Sequence, residues 1–312
     1  MILAVSVKDD LHARVVRHTA LSRGYRDFHI AECDQISGRH SLSWSSHGDA
    51  PNTVLTGDGV PVPLSDVSVV WWRRTTARQQ AWIDAADDHQ RRLVNTESRG
   101  AFSGIFSAAY QGQWISLPEA TSRAADKIYQ LTVARQAGFR VPRTIVSQSR
   151  ADVIEFARQV GRVIVKPLVG VPGPLMFTEY VDDPATIPEE SFSACPAMYQ
   201  EYIPGRRHVR LNSFGEKMYA ALIETDNLDS RTDLNVPISR WVVPKDVAGQ
   251  VTEVLRKLEL RMGIIDIKLT PQGEPVWLEV NPQGQFLFLQ PLLGEPLADH
   301  FVDFLLSCDK EA

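Results

Sequence analysis

The order of apolar runs and amphipathic stretches along the chain predicts a mixed α/β protein. The first run, residues 2–7, has the length of a buried strand, and residues 12–23 have the pattern of a helix that ends at Gly24. A second short strand is predicted over residues 28–31. Because a strand–helix–strand order favours parallel pairing, the chain should open with a parallel sheet.

This alternation continues to residue 117, where we place the first domain boundary. The boundary is indicated by Ser116-Leu117-Pro118, which closes the region. The further elements predicted before it are a hairpin turn at Asp58-Gly59, a buried strand over 67–72, and helices over 79–93 and 97–110.

Two more regions are predicted, residues 118–197 and residues 198–312. Helices are predicted in them over residues 119–136, 149–160, 246–262 and 301–306, and strands over residues 162–167, 207–214 and 217–224.

The composition argues against several classes of protein. A formal net charge of -5 disfavours non-specific binding of nucleic acid, which needs a basic surface. No apolar stretch is long enough to span a bilayer and no signal-peptide pattern is present, so we expect no membrane attachment. The three cysteines, Cys33, Cys195 and Cys308, are too far apart to indicate a zinc site or a disulfide framework, which favours a cytoplasmic location.

A candidate metal site lies near the C-terminus, where Asp266 precedes a turn over residues 270–275 and Glu279 and Asn281 follow it. Alternate residues of a strand share a face, so Glu279 and Asn281 point the same way, and a hairpin can bring Asp266 beside them. Two carboxylates and one amide oxygen are ligands that suit Mg²⁺. Taken alone, the pattern also fits an ordinary hairpin whose acidic residues face water.

Two lysines are candidates for phosphate binding. Lys166 ends a predicted strand just before a loop with two glycines, residues 169–174, so its ammonium group could reach a phosphate that loop amides also contact. Lys127 lies on a predicted helix beside Asp126. By themselves, both lysines also fit solvated surface positions.

Two further segments carry candidate binding groups. The backbone of Gln200-Glu201-Tyr202-Ile203 could hydrogen-bond the edge of an adenine base, although the segment also reads simply as a strand. His208 and Arg210 share one face of a predicted strand. The Arg210 guanidinium could clamp a phosphate or a carboxylate, or lie at the surface.

In combination, and in this order along the chain, these features resemble the ATP-grasp ligases from about residue 116 to the C-terminus. The resemblance implies an α/β (α+β) fold in three parts. These are an N-terminal pre-ATP-grasp α/β domain (1–117), a central lid subdomain (118–197) and a C-terminal ATP-grasp subdomain (198–312).

Three signatures narrow the resemblance to the graspetide ligases, which mature microviridin-type ribosomal peptides. They are Trp71-Trp72-Arg73-Arg74, the helix that carries Lys127 and Gln130, and the Leu278–Leu287 segment with its Asn-Pro-Gln-Gly-Gln core. The tryptophans are expected in the core, while the two arginines could meet an acidic substrate or face water.

Three positions depart from the family pattern. Ser230 replaces tryptophan in the segment Asp229-Ser230-Arg231, which is otherwise similar to an Asp-Trp-Arg loop of the family. Phe286 stands where tryptophan is usual, and Gln290 where an acid often stands. These departures concern the expected substrate pocket more than the expected ATP site.

The resemblance implies a role for each matching residue. Lys127 and Lys166 would hold the phosphates of ATP, the backbone of Gln200, Glu201, Tyr202 and Ile203 its adenine, Asp266, Glu279 and Asn281 a Mg²⁺ ion, Arg210 the reacting phosphoryl group, and Arg231 the acceptor carboxylate.

The implied reaction is ATP-dependent activation of a carboxylate. An Asp or Glu side chain of a precursor peptide, which consists of a leader and a core, would attack the γ-phosphate to give an acyl phosphate and ADP. A hydroxyl or amine of the same peptide would then displace phosphate and close an ω-ester or ω-amide ring. A homodimer is expected.

Two other functions fit the same catalytic core. The first is an amino-acid or protein-tail ligase, such as an enzyme that adds glutamate. The second is a binding module for peptides or nucleotides that has lost catalysis. The presence of both lysines and of the complete Asp266, Glu279 and Asn281 set argues against the second.

Overall fold

The computed structural model describes residues 1–37, 42–47, 52–76, 78–79, 87–169, 176–229 and 235–311. The chain divides into two compact units, one formed by Met1–Pro118 with Gln285–Ala312 and the other by Glu119–Gly284. The division of the chain at 117 and 197 into three domains stays a prediction. It did not include the return of the C-terminal segment to the first unit.

The helices and strands are numbered here in chain order. Up to residue 117 they are β1 (Ile2–Ser6), α1 (Leu11–Ser22), β2 (Phe28–Glu32), β3 (Leu42–Ser43), β4 (Thr53–Leu55), β5 (Pro61–Pro63), β6 (Val69–Trp72), α2 (Asp88–Ala109) and β7 (Gln113–Ile115). They continue as α3 (Pro118–Ala124), α4 (Lys127–Gln136), β8 (Thr144–Ser147), α5 (Arg150–Val160), β9 (Val163–Lys166), β10 (Glu179–Val181), α6 (Glu189–Ser193) and β11 (Ala197–Glu201). The remainder are β12 (Arg207–Phe214), β13 (Lys217–Glu224), β14 (Ile238–Trp241), α7 (Lys245–Lys257), β15 (Met262–Leu269), β16 (Pro275–Asn281), α8 (Leu289–Leu293) and α9 (Leu297–Glu311).

The first unit is built on a parallel sheet in the order β2-β1-β6-β7. Adjacent residues of a strand face opposite ways, and Trp71 and Trp72 of β6 pack accordingly. The Trp71 ring lies 4.7 Å from Phe301 of α9, while the Trp72 ring lies 5.4 Å from Phe106 of α2. The sheet is thus covered on both faces, and both tryptophans belong to the core, as predicted.

Two predicted helices of the first unit form one. The sequence predicts helices over 79–93 and 97–110, but α2 is continuous, since nothing between them breaks a helix. It begins after a reciprocal cap in which the Asp87 carboxylate accepts from the Gln90 N–H and the Gln90 side chain accepts from the Asp87 N–H. Residues 80–86, which the first prediction included, lie outside the described part of the chain.

One predicted helix of the second unit forms two. The stretch 119–136 was predicted to be continuous, but α3 and α4 are separated at Ala125-Asp126. The Asp126 carboxylate accepts hydrogen bonds from the backbone N–H groups of Ile128 (2.9 Å) and Tyr129 (3.1 Å). This N-cap starts a new helix, whose first residue is Lys127.

The second unit contains two antiparallel sheets, in the orders β10-β9-β11-β8 and β14-β13-β12-β15-β16. Helix α7 is amphipathic, with buried residues at helical spacing, namely Val247, Val251, Val254 and Leu255. Together with Trp277 of β16 and residues of α4 they form the core on one face of the five-stranded sheet. The opposite face of this sheet carries polar side chains, among them Arg210 and Asp266. Within the described residues, no helix is both long enough and apolar enough to cross a bilayer.

A buried polar network lies beyond the ends of β1 and β6. Arg73 donates from Nε to Asp10 Oδ2 at 2.7 Å, and both side chains are almost inaccessible to water. Arg73 therefore neither faces water nor is open to a substrate.

His12 Nε2 accepts from the backbone N–H groups of Phe286 (3.0 Å) and Leu287 (3.2 Å). Burial, aided by the charge of Arg73, lowers the pKa of His12 to about 4, so the ring is neutral at pH 7.

We expect His12 to make stability fall as the pH drops from 6.5 towards 4. Its folded pKa lies below its unfolded value, so in this window the unfolded chain binds more protons. The loss for this one residue is about 3 kcal/mol, since each pKa unit corresponds to about 1.4 kcal/mol. Chemical unfolding at several pH values measures it. His12→Asn should flatten the pH dependence, whereas His18→Asn, at an exposed position, should not.

Candidate active site

Three charged side chains lie in a row across neighbouring strands of the five-stranded sheet. Arg210 of β12 is directly opposite Asp266 of β15, and Asp266 is directly opposite Glu279 of β16. Residues directly opposite each other project from the same face of a sheet, so the three lie side by side. Asn281 pairs with Ile264, two residues before Asp266, and therefore shares this face.

A bulge in β16 makes this arrangement compatible with the core. Ile267 pairs with Trp277 while the preceding Asp266 pairs with Glu279, so Leu278 is an extra residue on β16. In a regular strand Trp277 and Glu279 would project from the same face. Because of the bulge, Trp277 is fully buried in the core while Glu279 joins the charged row on the opposite face.

Each carboxylate of the row has a cationic partner. Arg210 Nη1 lies 2.9 Å from Asp266 Oδ1 and 2.7 Å from Asp266 Oδ2. Lys127 Nζ lies 3.3 Å from Glu279 Oε2 and donates to the carbonyl of Pro167 at 3.1 Å. Two acidic side chains placed directly opposite each other would otherwise repel, so the site requires positive charge.

The donor set of this row fits Mg²⁺. Asp266 and Glu279 supply carboxylate oxygens, and Asn281 supplies an exposed amide oxygen, which accepts from the Gln283 N–H at 3.2 Å. Hard oxygen ligands of this kind, few enough to leave positions for water and phosphate, are typical of Mg²⁺ sites. Among the described residues, no three His, Cys, Asp or Glu side chains gather into a metal site.

A pocket lies beside the Gln200–Ile203 segment. Its walls contain apolar residues together with Lys166 and the basic pair His208 and Lys268. The lining includes Pro142, Ile164, Lys166, Thr178, Gln200, Glu201, Tyr202, Ile203, His208, Lys268 and Leu278. The predicted phosphate lysine and the predicted adenine segment thus line the same pocket. A pocket with apolar walls and a few polar groups is the usual form of a small-molecule site.

Two polar groups of the segment remain for a ligand. Gln200 is 1% exposed and donates from Nε2 to Thr144 Oγ1 at 3.0 Å, but its Oε1 has no partner among the described residues. The backbone N–H groups of Glu201 and Tyr202 donate to neighbouring carbonyls, whereas that of Ile203 has no partner in the described part of the chain. One acceptor and one donor on the same wall match the amine and ring nitrogen at the edge of adenine.

A buried basic pair, His208 and Lys268, lies in the wall of the pocket. Lys268 Nζ lies 2.6 Å from His208 Nε2, and neither residue is more than 7% exposed. Burial, with the charge of Lys268, lowers the pKa of His208 to about 4, and burial lowers the pKa of Lys268 to about 8 against the opposing charge of Asp226. At pH 7 a neutral imidazole thus accepts from an ammonium group, which gives the pocket wall a positive charge.

The structure brings most of the predicted site residues into these two places. The charged row consists of Arg210, Asp266 and Glu279, and Lys127 and Asn281 lie beside it. The pocket is lined by Lys166 and Gln200–Ile203. Arg231 and Ser230 lie outside the described residues, as does the 170–175 part of the predicted phosphate loop.

Two participants were missed by sequence reasoning. Lys268 lies two residues after Asp266 on the same strand, so its shared face could have been read from the spacing. Gln130 was noted only as part of a helix signature. Its contacts join segments far apart in the sequence, which no local pattern indicates.

The comparisons with known proteins place the whole chain in one structural class. No protein-family model matches the chain, and no curated protein does. The macrocyclase MdnC from Microcystis aeruginosa MRC, solved bound with precursor peptide MdnA, is similar with a TM-score of 0.88 and 25% identity, over 98% of this chain and 99% of that one.

Two other solved structures are similar over a comparable extent. A RiPP-associated ATP-grasp ligase from Chryseobacterium gregarium, in complex with ADP and a leader and core peptide, has a TM-score of 0.86 and 22% identity over 99% of this chain and 96% of that one. The ATP-grasp ligase PsnB, complexed with a variant of its minimal precursor, Mg and ADP, has a TM-score of 0.79 and 21% identity over 98% of each chain. The predicted ATP-grasp fold is confirmed.

Proposed function

We propose that this chain, an enzyme with the fold of the ATP-grasp ligases that act on ribosomal peptides, closes rings in a precursor peptide. The observation that carries the proposal is the row of Arg210, Asp266 and Glu279, with Lys127 at its end, in a unit that also contains a pocket lined by Lys166 and the Gln200–Ile203 segment. In this proposal the cofactors are ATP and Mg²⁺, and the substrate is a peptide with a leader and a core.

The reaction would occur in two steps. A side-chain carboxylate of the peptide attacks the γ-phosphate of ATP, which releases ADP and leaves an acyl phosphate. A hydroxyl or amine of the same peptide then attacks the acyl carbon, and phosphate leaves as an ω-ester or ω-amide forms. Because phosphoryl transfer needs mainly positioning and neutralisation of charge, fixed cationic side chains together with Mg²⁺ would supply most of the catalysis.

The residues of the chain divide these tasks. Lys127 and Lys166 neutralise and position the phosphates, while Gln200 Oε1 and the Ile203 N–H hold the adenine. Arg210, fixed by Asp266, stabilises charge on the reacting phosphoryl group and on the oxyanion of the second step.

Asp266, Glu279 and Asn281 would hold Mg²⁺. When bound, the ion would neutralise phosphate charge that the side chains alone leave unbalanced. The Lys127 ammonium group lies 3.3 Å from Glu279 Oε2, so this carboxylate already has a cation beside it where phosphate would bind.

Three parts of the proposal rest on the sequence alone. By the family resemblance Arg231 would bind the acceptor carboxylate and the chain would be a homodimer, and by its cysteine pattern the enzyme would act in the cytoplasm. The solved relatives with bound peptides support the peptide substrate. Light scattering of the purified protein tests the dimer, and Arg231→Met, expected to raise the KM for the peptide, tests the arginine.

The decisive experiment incubates the protein with ATP, Mg²⁺ and the precursor peptide encoded beside its gene. We expect the peptide to lose the mass of one water per ring, with one ADP released for each. A gain of one amino-acid residue would instead indicate the amino-acid-adding ligase. ATP binding without release of ADP would indicate the binding module. Unchanged mass with a precursor that a related ligase does cyclise would refute the proposal.

A further inference from the structure

The side chain of Gln130 lies along the outer edge of β16, the strand that carries Glu279 and Asn281. Among the described residues β16 is the last strand of its sheet, and its outer edge meets only an isolated bridge from Arg140 to Val276. Gln130 Oε1 accepts from the Val280 N–H at 2.8 Å, and Nε2 donates to the Val280 carbonyl at 2.9 Å. The carboxamide thus makes the pair of hydrogen bonds that a residue of an adjacent strand would make.

The contacted residue stands between two of the proposed Mg²⁺ ligands. The Val280 N–H belongs to the peptide group shared with Glu279, and the Val280 carbonyl to the peptide group shared with Asn281. Val280 is 2% exposed and faces the core, while its neighbours face the site. Hydrogen bonds to both peptide groups therefore limit the rotation of the backbone on which the two ligands stand.

This part of β16 needs support from outside its sheet. The bulge at Leu278 interrupts the regular pairing with β15 directly before Glu279. At an edge, the backbone groups opposite β15 would otherwise be exposed or unsatisfied. Gln130 is 2% exposed and donates additionally to the Ala124 carbonyl at 2.6 Å, so its own position is fixed by three hydrogen bonds.

Helix α4 contacts the ligand strand at a second point. Lys127 lies three residues before Gln130 and hence on the same helix face. Its ammonium group pairs with Glu279, while Gln130 holds the adjacent backbone. One rigid helix therefore sets both the position of Glu279 and the position of the lysine assigned to phosphate.

We propose that Gln130 is a positioning residue, which holds Glu279 and Asn281 at the spacing that Mg²⁺ requires. This inference rests on the proposed function. Residues behind metal ligands typically change metal affinity about 10- to 100-fold when they are replaced. A residue that only supported the fold would lower stability when replaced. Replacement of Gln130 should in addition lower the affinity for the metal.

The test compares Gln130→Leu with Gln79→Leu. Gln79 is a matched control, because it too is a buried glutamine with three hydrogen bonds to backbone groups, those of Cys33, Ile36 and Ser37, but it belongs to the other compact unit. Binding of Mn²⁺ to the complex with a non-hydrolysable ATP analogue is followed by electron paramagnetic resonance, so no turnover is needed. Thermal unfolding of both variants is measured in parallel.

We expect Gln130→Leu to weaken Mn²⁺ binding at least tenfold and Gln79→Leu to change it less than twofold, at similar losses of thermal stability. Gln130→Met keeps the length of the side chain without its hydrogen bonds, so it should show a similar loss, and it replaces Gln130→Leu if that variant does not fold. Unchanged Mn²⁺ affinity in either Gln130 variant would overturn the inference. If the unaltered protein itself bound no metal–nucleotide complex, the proposed function would fail instead.

Discussion

Glu279→Gln is expected to abolish ATP turnover while leaving the fold intact. The substitution keeps the shape of the side chain but removes a ligand charge and the partner of Lys127, whose Nζ lies 3.3 Å away. If the carboxylate contributes several kcal/mol to stabilising the transition state through the metal, turnover falls about 10³-fold or more. Release of ADP at saturating ATP and Mg²⁺ measures the loss.

The fold should tolerate this change for a physical reason. The Glu279 side chain is partly exposed, and an ion pair in such a place is worth at most about 1 kcal/mol. Lys127 keeps its hydrogen bond to the Pro167 carbonyl. The melting temperature should therefore change little, which separates a lost ligand from a damaged protein.

Glu274→Gln is the matched control for this experiment. Glu274 lies on the same hairpin and also has a cationic partner, Arg140 Nη1 at 2.6 Å, but it lies at the turn rather than in the charged row. Its substitution should leave turnover within about twofold of the unaltered enzyme, since surface changes rarely exceed about 0.5 kcal/mol. Near-normal turnover of Glu279→Gln would exclude the metal assignment.

The strands of the five-stranded sheet show how far structure can be predicted from the sequence. Strands were predicted over 207–214 and 217–224, and β12 and β13 have these same bounds. Their alternating pattern is interrupted by Gly215, which adopts a φ of +59° in the tight turn between them. Where pattern and turn residue agree, local information is sufficient to define a hairpin.

The helices that were predicted wrongly show where local information fails. A single polar residue, Asp126, divides a stretch of good helix formers because its carboxylate caps the second helix. The spacing of apolar residues is similar on both sides of the break. It therefore fits one continuous helix as well as two separate helices. The break bears on the proposed site, since Lys127 is the first residue of α4 and its Nζ lies 3.3 Å from Glu279 Oε2.

The candidate site was predictable in its chemistry but not in its support. The spacing of Asp266, Glu279 and Asn281 predicted a shared face, and the register of β15 and β16 has it. The prediction assumed a regular strand, which would have placed Trp277 on the same face as Glu279. It therefore did not include the bulge at Leu278, which separates the two side chains. Gln130 was not predictable either, because it contacts Val280 across 150 residues of sequence.

Arg210→Lys is expected to lower kcat about 10²- to 10³-fold, the usual cost of removing one donor that stabilises charge in a transition state. The lysine keeps the positive charge but loses the planar guanidinium, whose Nη1 contacts both oxygens of Asp266. The KM for ATP should change little, since Lys127 and Lys166 remain to bind the phosphates. A fall in kcat alone would mean that the lost interaction forms chiefly in the transition state.

Arg207→Lys is the control for charge and size on the same strand. Arg207 lies three residues before Arg210 and so projects from the other face, where its Nη2 donates to the Thr270 carbonyl at 3.0 Å. Its substitution should leave kcat within about twofold, in line with other surface changes.

Trapping with hydroxylamine determines which step of the reaction Arg210 serves. Hydroxylamine converts an acyl phosphate into a hydroxamate, so its yield reports the first step independently of ring closure. If Arg210 stabilises the phosphoryl group, Arg210→Lys should reduce ADP release and hydroxamate together. If it acts only on the second step, hydroxamate should form at the normal rate while ring formation stops. Normal rates of both steps in this variant would show that Arg210 has no catalytic role. Its pairing with Asp266 would then be a purely structural contact.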